Sequence, residues 1–240
     1  MSQIIRKTTV MLDHLNKCSA LSGVKDQTIR KIYREGILRL FSRGETVVHA
    51  REVFPFICFL LTGKVIQYNL THLGKRKILL VFGAGTLLNN HIFDNQPSTT
   101  YCDTLDNCVI LMISKDKMHE LMEEDFSLVQ GLMRSQERKM HRLQHQVINS
   151  VGNIHLERKL AAKLWKLARD FGIETEEGVM VDMSISVTFL ADMLGTPRET
   201  ASRLVRDLTQ YGLIRHDKKR VLVCDMDRLA HFFKTGIYEE

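Results

Sequence analysis

The segment GTPRETASRLVRDL, residues 195–208, constrains the fold more than any other stretch of the sequence. Gly195 predicts a tight turn, and Thr196 with Glu199 forms a T-x-x-E capping box with Pro197 at the first helical position. The sequence therefore predicts a helix that begins at residue 197. Spacings of three and four residues predict an apolar face packed against the rest of the protein, formed by Ala201, Leu204, Val205, Leu208 and Tyr211.

The opposite face of this helix carries charge at its N-terminal end, on Arg198, Glu199, Ser202 and Arg203. A guanidinium donates two hydrogen bonds to guanine, and a carboxylate accepts one from cytosine. The preceding segment, SVTFLADML, supplies an apolar partner helix. Two short helices joined at a glycine turn predict a helix-turn-helix whose second helix reads bases in the major groove. For the helix alone, a capping role for Glu199 and solvated arginines remain an alternative.

The residues after this helix predict a basic β-hairpin, LIRHDKKRVLVCD, with HDKKR at its tip. Residues 196–220 contain seven Lys or Arg and three Asp or Glu, whereas residues 151–240 contain 14 of each kind. This local excess of positive charge predicts contacts to the DNA backbone. The candidate backbone contacts are Thr196, Arg206, Lys218, Lys219 and Arg220.

The first half of the chain has a different pattern. After a helical stretch over residues 1–35, short β-like runs such as FICFLLTGKVIQYNL and CVILMIS are separated by glycines. The predicted fold is α+β: an N-terminal β-sandwich or barrel, a long dimerisation helix and a C-terminal winged helix-turn-helix. The expected domains are residues 1–150 and residues 151–240, the second for DNA binding, with a hinge at the VGN of residues 151–153.

A long helix over about residues 125–150 has apolar side chains at heptad spacing. The sequence predicts a narrow seam flanked by polar and basic residues, which favours a coiled-coil homodimer over packing within one chain. The seam residues are Phe126, Val129, Met133, Gln136, Met140, Leu143 and Val147.

Other features exclude several classes of protein. No apolar run reaches the roughly 18 residues of a membrane span, and the N-terminus has no secretory apolar region, so a cytoplasmic location without a membrane partner is expected. Paired catalytic carboxylates, a nucleophile elbow and a phosphate loop are missing, so no enzyme is predicted and no catalytic residue is assigned. The five cysteines contain no C-x-x-C pair, and no metal site is expected unless His91 binds haem.

These motifs together resemble the CRP/FNR family of bacterial transcription regulators. The segment LADMLGTPRETASRLVRDLTQYGLI is similar to the winged helix of that family, and the β-rich segment and long helix precede it in the same order, from about residue 20 to residue 233. The resemblance implies that residues 1–150 form an effector-sensing domain with an N-terminal β-roll of the jelly-roll, cyclic-nucleotide-binding-like type. It implies base contacts by Arg198, Glu199, Ser202 and Arg203. It also implies half-sites such as TGTGA or TTGTGA in a palindrome of double-stranded DNA, a homodimer, and RNA polymerase as a partner.

The sequence constrains the chemical identity of the effector less than it constrains the fold. In cyclic-AMP-binding members a Gly-Glu pair and an Arg-Ser/Thr pair hold the cyclic phosphate, and the corresponding positions here are Asn89-Asn90 and Ser98-Thr99. Residues 83–114 contain no Lys or Arg, and a buried phosphate without a cation is poorly recognised. The sequence therefore predicts a small, mostly uncharged organic effector other than cyclic AMP, as in the halogenated-aromatic sensors of the family. The predicted pocket residues are Asn89, Asn90, His91, Thr99 and Tyr101.

Other sensor types stay open. His91 lies six residues after Gly85, much like the haem ligand of carbon-monoxide-sensing members, so a haem-based gas or redox sensor is the alternative. An iron–sulfur sensor needs clustered N-terminal cysteines, and only Cys18 is present there. A module that binds another protein rather than DNA is a remote alternative.

Overall fold

The computed structural model describes residues 2–148 and 155–238. Contacts between Cα atoms divide the chain into two compact units. One contains the described residues up to 69 together with 79–144, and the other contains 70–78 with the described residues from 145 onward. The predicted hinge at 151–153 lies outside the described residues.

Two antiparallel sheets form the β-roll that the sequence predicts. One sheet has the strand order β1-β2-β9-β4-β7 and the other β3-β8-β5-β6. The strands are β1 (Gln3–Ile4), β2 (Ile37–Phe41), β3 (Thr46–Val48), β4 (Phe56–Thr62), β5 (Lys64–Leu70), β6 (Arg76–Gly83), β7 (Thr86–Leu87), β8 (Tyr101–Thr104) and β9 (Cys108–Ser114). Helices α1 (Thr9–Asn16) and α2 (Asp26–Glu35) precede β2, with a short 3-10 helix at Ser19–Leu21 between them.

Strand β4 is apolar on both faces because it separates two cores. Successive side chains of a strand point to opposite sides of the sheet. Ile57 and Phe59 pack into a core shared with the helices, whereas Cys58 and Leu60 pack between the sheets. The continuous apolar run FICFLL is therefore a fully buried strand.

Two helices follow the roll, α3 (Lys115–Glu124) and α4 (Phe126–Ile148). Ser114 caps α3 by accepting a hydrogen bond from the N–H of Lys117 at 3.3 Å. Asp125 forms the break between them: its carboxylate is buried and accepts hydrogen bonds from Ser127 and from the Thr28 hydroxyl at 2.5 Å. Helix α4 is the long helix that the sequence predicts.

The C-terminal unit has the element order expected of a winged helix. Its helices are α5 (Leu156–Phe171), α6 (Val187–Leu194), α7 (Arg198–Gln210) and α8 (Met226–Thr235). Its strands are β10 (Gly172–Thr175), β11 (Gly178–Val181), β12 (Ile214–Asp217) and β13 (Arg220–Val223), in the order β10-β11-β13-β12. Strand β10, which pairs with β11, was not predicted. Within the described ranges, no helix combines the length and the apolar character of a membrane span.

The start of α7 differs from the prediction. Pro197 has a ψ of 151° and occupies the N-cap position, so the helix begins at Arg198. Thr196 lies one residue before the cap, and no side chain caps the helix. A capping box requires the threonine at the N-cap itself, with the glutamate three residues later, so the predicted box of Thr196 and Glu199 is wrong. The glycine turn is confirmed, since Gly195 ends α6 with a φ of 72° and a ψ of 40°.

Candidate DNA-binding face and effector cavity

Burial of one face fixes the orientation of α7 about its own axis. Its buried residues are Ala201, Leu204, Val205 and Leu208, and those of α6 include Phe189, Leu190 and Met193. The apolar face predicted for α7 is confirmed at these four positions. Because this face packs inward, the residues on the opposite face of α7 point to solvent.

The outward face of α7 carries the four predicted base contacts. Arg198, Glu199 and Arg203 are exposed, and Ser202 is half-buried. Their side chains have no hydrogen-bond or ion-pair partner among the residues that the structure describes. With a rise of about 1.5 Å per residue, Arg198 and Arg203 lie roughly 7.5 Å apart along the helix axis, about two base-pair steps of 3.4 Å. These side chains are free to bond base edges.

The N-terminus of α7 leaves backbone donors available. No side chain caps the first turn, and Thr196 lies half-buried beside it. Uncapped N–H groups at a helix N-terminus favour phosphate. The predicted backbone contact at Thr196 is therefore next to a group of donors, and Arg206 is exposed on the same helix one turn after Ser202.

The predicted wing is a tight hairpin with its cations at the tip. Asp217 of β12 pairs with Arg220 of β13, which leaves Lys218 and Lys219 as the turn. Lys218 has a φ of 53°, and the carbonyl of Lys219 accepts a hydrogen bond from the N–H of Ile185 at 2.8 Å. All three cations of the tip, Lys218, Lys219 and Arg220, are exposed. This arrangement suits contacts to DNA phosphates, because such contacts require positive charge but not a bidentate hydrogen-bond geometry.

A small cavity in the roll contains most of the predicted effector residues. It is lined by Val48, Phe54, Gln67, Leu88, Asn89, Asn90, His91, Gln96, Ser98, Thr100, Cys102 and Lys115. Its volume is about 20 Å³, which is room for one water molecule. Organic ligands occupy pockets of roughly 300–1,000 Å³. An effector therefore enters only if the walls of the cavity move apart.

The predicted pocket residues divide into two groups. Asn89, Asn90 and His91 line the cavity, and Ser98 lies there too, at the position where the resemblance places an arginine. Thr99 is exposed, and Tyr101 is half-buried with its ring stacked on Tyr68 at 5.1 Å, so neither lines the cavity. The chain bends at Thr99 and Thr100, where the Ser98 hydroxyl donates to the carbonyl of Thr100 at 2.8 Å, and the Thr99 side chain stays outside the cavity.

Two lysines lie at the cavity that sequence reasoning missed. Lys115 is buried and lines the cavity, and its ammonium donates to the carbonyl of Asp94 at 2.6 Å. Lys139 is buried too and donates at 2.7 Å to the carbonyl of Asn89, a lining residue. The absence of cations from residues 83–114 therefore does not leave the cavity without positive charge. Two signals were present: Lys115 follows that window directly, and Lys139 continues the three- and four-residue spacing of Leu128, Leu132 and Ser135.

Burial shifts the pKa values of Lys139 and Cys102, which lie beside the cavity. Loss of hydration lowers the pKa of Lys139 to about 7, with a smaller contribution of the same sign from Arg142. Burial raises the pKa of the Cys102 thiol to about 12, so this thiol is protonated and unreactive at neutral pH. The Lys139 ammonium also lies 5.4 Å from the centroid of the Phe82 ring.

The haem alternative can be tested against His91. Its Nδ1 lies 3.1 Å from Asp94 Oδ1, an arrangement that would suit a ligating imidazole. The adjoining cavity of 20 Å³ has no room for a porphyrin. Haem does not fit these residues as they are placed, and its entry would require the walls to open much further than a small organic effector requires. No group of three or more His, Cys, Asp or Glu side chains able to hold a metal occurs within residues 2–148 and 155–238.

Helix α4 exposes most of the predicted dimer seam. Large fractions of five apolar side chains are accessible: Phe126 71%, Met133 45%, Met140 56%, Leu143 39% and Val147 59%. Two other predicted seam residues have partners within the chain. Val129 packs partly against the core next to the helices, and the Gln136 amide donates to the carbonyl of Asn89 at 3.0 Å. The exposed stripe therefore consists of the five apolar residues.

Two family sequence models match the chain. The Crp-like helix-turn-helix domain matches residues 158–232, and the cyclic nucleotide-binding domain matches residues 38–125. A CRP-like cAMP-activated global transcriptional regulator of Mycobacterium tuberculosis is 23% identical over 217 residues, which cover 90% of this chain and 96% of the relative.

Solved structures show the same fold. The c-di-GMP responsive global regulator CLP of Xanthomonas campestris has a TM-score of 0.74 at 16% identity, over 84% of this chain and 100% of that one. CprK complexed with OCPA has a TM-score of 0.62 at 18% identity, over 85% of this chain and 92% of that one. The names of these relatives include three different small molecules, so the similarity identifies the fold and leaves the effector of this chain open.

Proposed function

Because the chain belongs to the CRP/FNR family of transcription regulators, we propose that it acts as a homodimer on a palindrome of TGTGA-like half-sites and responds to a small organic effector. The observation that carries this proposal is the outward face of α7, where Arg198, Glu199 and Arg203 are exposed without partners among the described residues. Charged side chains on a docked second helix are the arrangement that reads base edges.

The exposed stripe of α4 supports the homodimer. Five large apolar side chains on one helix are an unusual surface for a monomer, and a second copy of the same helix would cover them. A two-fold dimer presents two recognition helices, which match a palindrome when they lie about one DNA turn apart. Double-stranded DNA and RNA polymerase are the proposed partners, in the cytoplasm.

The position of the cavity supports effector control. Asn89 lines the cavity, and its carbonyl accepts hydrogen bonds from Gln136 and Lys139 of α4. A ligand that separates the cavity walls would act on the helix that carries the stripe. Control then follows as a population shift, in which the ligand favours one arrangement of the dimer by a few kcal/mol. We propose an effector other than cyclic AMP, because the phosphate-binding arginine position holds Ser98.

Replacement of Arg203 by alanine tests base reading. We expect a loss of about 1–3 kcal/mol of binding free energy to a TGTGA palindrome, with relaxed selectivity at one base pair. Gel shifts with the specific site and with single-base variants measure both effects. Arg34→Ala, which removes an exposed arginine paired with Glu35, is the matched control. Equal losses on specific and random DNA would contradict base reading by Arg203 and assign this side chain to the DNA backbone.

Replacement of Lys218 by alanine tests the wing. Because a phosphate contact carries no sequence information, we expect weaker binding to all DNA alike and a salt-dependence slope that is lower by about 1. Titrations of specific and random duplexes across a range of salt concentrations measure the slope. Lys17→Ala removes an exposed charge from the first unit as the control. An unchanged slope would remove Lys218 from the interface.

A further inference from the structure

The cavity of the roll is lined by basic side chains and by no acidic ones. Its twelve lining residues include one lysine and one histidine and no Asp or Glu. The ammonium of Lys139 lies directly behind the lining residue Asn89. Asp94 pairs with His91 and does not line the cavity, and Asp103 accepts a hydrogen bond from Thr46.

Neither lysine has an acidic partner. Each donates to a backbone carbonyl, Lys115 to that of Asp94 and Lys139 to that of Asn89, and neither forms an ion pair within the described part of the chain. Buried cations in proteins are ordinarily paired with an anion. Two buried ammonium groups beside one cavity, without a carboxylate, form a site that a ligand anion would complete.

The remaining walls restrict the anion further. Val48, Phe54 and Leu88 give the cavity an apolar side, and Phe82 packs beneath the Lys139 ammonium. No arginine lines the cavity, so the bidentate fork that favours phosphate is missing there. Gln67, Ser98 and Thr100 supply neutral polar groups.

We propose that the effector is an organic acid with a single anionic head group on a mostly apolar body, held between Lys115 and Lys139. This inference rests on the proposed function, because it names the chemical class of the ligand at the same cavity. It also replaces the expectation of a mostly uncharged effector. The head group would take the place of the Asn89 carbonyl as the partner of Lys139. Lys139 directly precedes Met140 of the exposed stripe, so this exchange of partner acts on the dimer helix itself.

The test compares acids with their neutral amides on the full chain. Calorimetric titration and thermal melting are performed with acetate and benzoate, with acetamide and benzamide as uncharged isosteres, and with cyclic AMP and cyclic di-GMP. We expect at least one acid to bind and to raise the melting temperature, with roughly tenfold or greater preference over its amide. An amide that binds as well as its acid would overturn the inference, as would a cyclic nucleotide that binds more tightly than every acid, or no binding by either acid.

Two variants assign the binding to the lysines. Lys115→Met and Lys139→Met are each expected to weaken binding of the acid by roughly tenfold or more, whereas Lys117→Met, an exposed lysine paired with Glu120, leaves it unchanged. Retained binding in both pocket variants would overturn the site. Gel shifts on the TGTGA palindrome without added acid are run in parallel. Selective DNA binding without acid binding refutes this inference alone, and acid binding without selective DNA binding under any condition refutes the proposed function.

Discussion

Glutamate at both Met133 and Met140 is expected to separate the dimer and to lower affinity for a palindromic site by about 10²–10⁴-fold, the advantage that linking two binding modules confers. Both side chains are about half exposed in the single chain, at 45% and 56%, so the substitutions leave the core of one chain intact. In a two-helix seam, four carboxylates would be buried against apolar partners, at a cost of several kcal/mol. Each monomer would then hold only one half-site.

Sedimentation velocity measures the oligomeric state, and gel shifts compare the full palindrome with a single half-site. The matched control is the pair Val10→Glu and Val53→Glu, which changes two exposed apolar residues, 58% and 52% accessible, outside the stripe. The control should remain dimeric and lose only the small part of DNA affinity that follows from added negative charge. A dimeric Met133/Met140 variant with normal affinity for the palindrome would show that the stripe is not the dimer seam.

The parts of the fold that the sequence predicted well are those with local signals. The spacing of Ala201, Leu204 and Leu208 determined which side of α7 is buried, because a helix repeats every 3.6 residues. Gly195 predicted the turn because it can adopt a positive φ without strain. The continuous apolar run of β4 was identified as a strand because glycines divide this part of the chain into short β-like runs.

The predictions that were wrong depended either on contacts between residues far apart in sequence or on a choice between two similar local arrangements. The N-cap of α7 lies one residue later than predicted because Pro197 has an extended ψ. A T-P-x-E sequence is compatible with a helix that begins at the proline or at the residue after it. Thr99 was expected in the pocket because the resemblance places a phosphate-binding pair at Ser98-Thr99, but the chain bends there and leaves Thr99 exposed. Tyr101 was expected there too, but its ring stacks on Tyr68. Lys139 was interpreted as part of a solvated flank, since burial of a lysine is rare. Only the packing of α4 against the roll shows that its amine is enclosed.

Burial of Lys139 without an acidic partner also predicts a destabilised native state. Replacing a buried ion by an apolar side chain of similar length is often neutral or stabilising by about 1–4 kcal/mol. Lys139→Met keeps the approximate length of the side chain and removes the charge, together with the contact of the ammonium with the Phe82 ring. We therefore expect the variant to unfold at a higher urea concentration than the wild-type chain at neutral pH, while Lys117→Met stays close to wild type.

The pH dependence distinguishes this cause from improved packing. The pKa of Lys139 falls from 10.5 to about 7 on folding, so between these values the unfolded chain binds more protons than the native one, and the stability of the wild type rises with pH. Below about pH 7 the full penalty is present, and by about pH 10 most of it is gone. The gain in unfolding free energy of Lys139→Met over the wild type should therefore be largest near about pH 6 and shrink steadily toward about pH 9 in parallel urea titrations.

A constant gain across that range would mean that packing, and not the buried charge, causes the difference in stability between the two proteins. A saturating organic acid should reduce the same gain, because a bound carboxylate supplies the partner that Lys139 lacks.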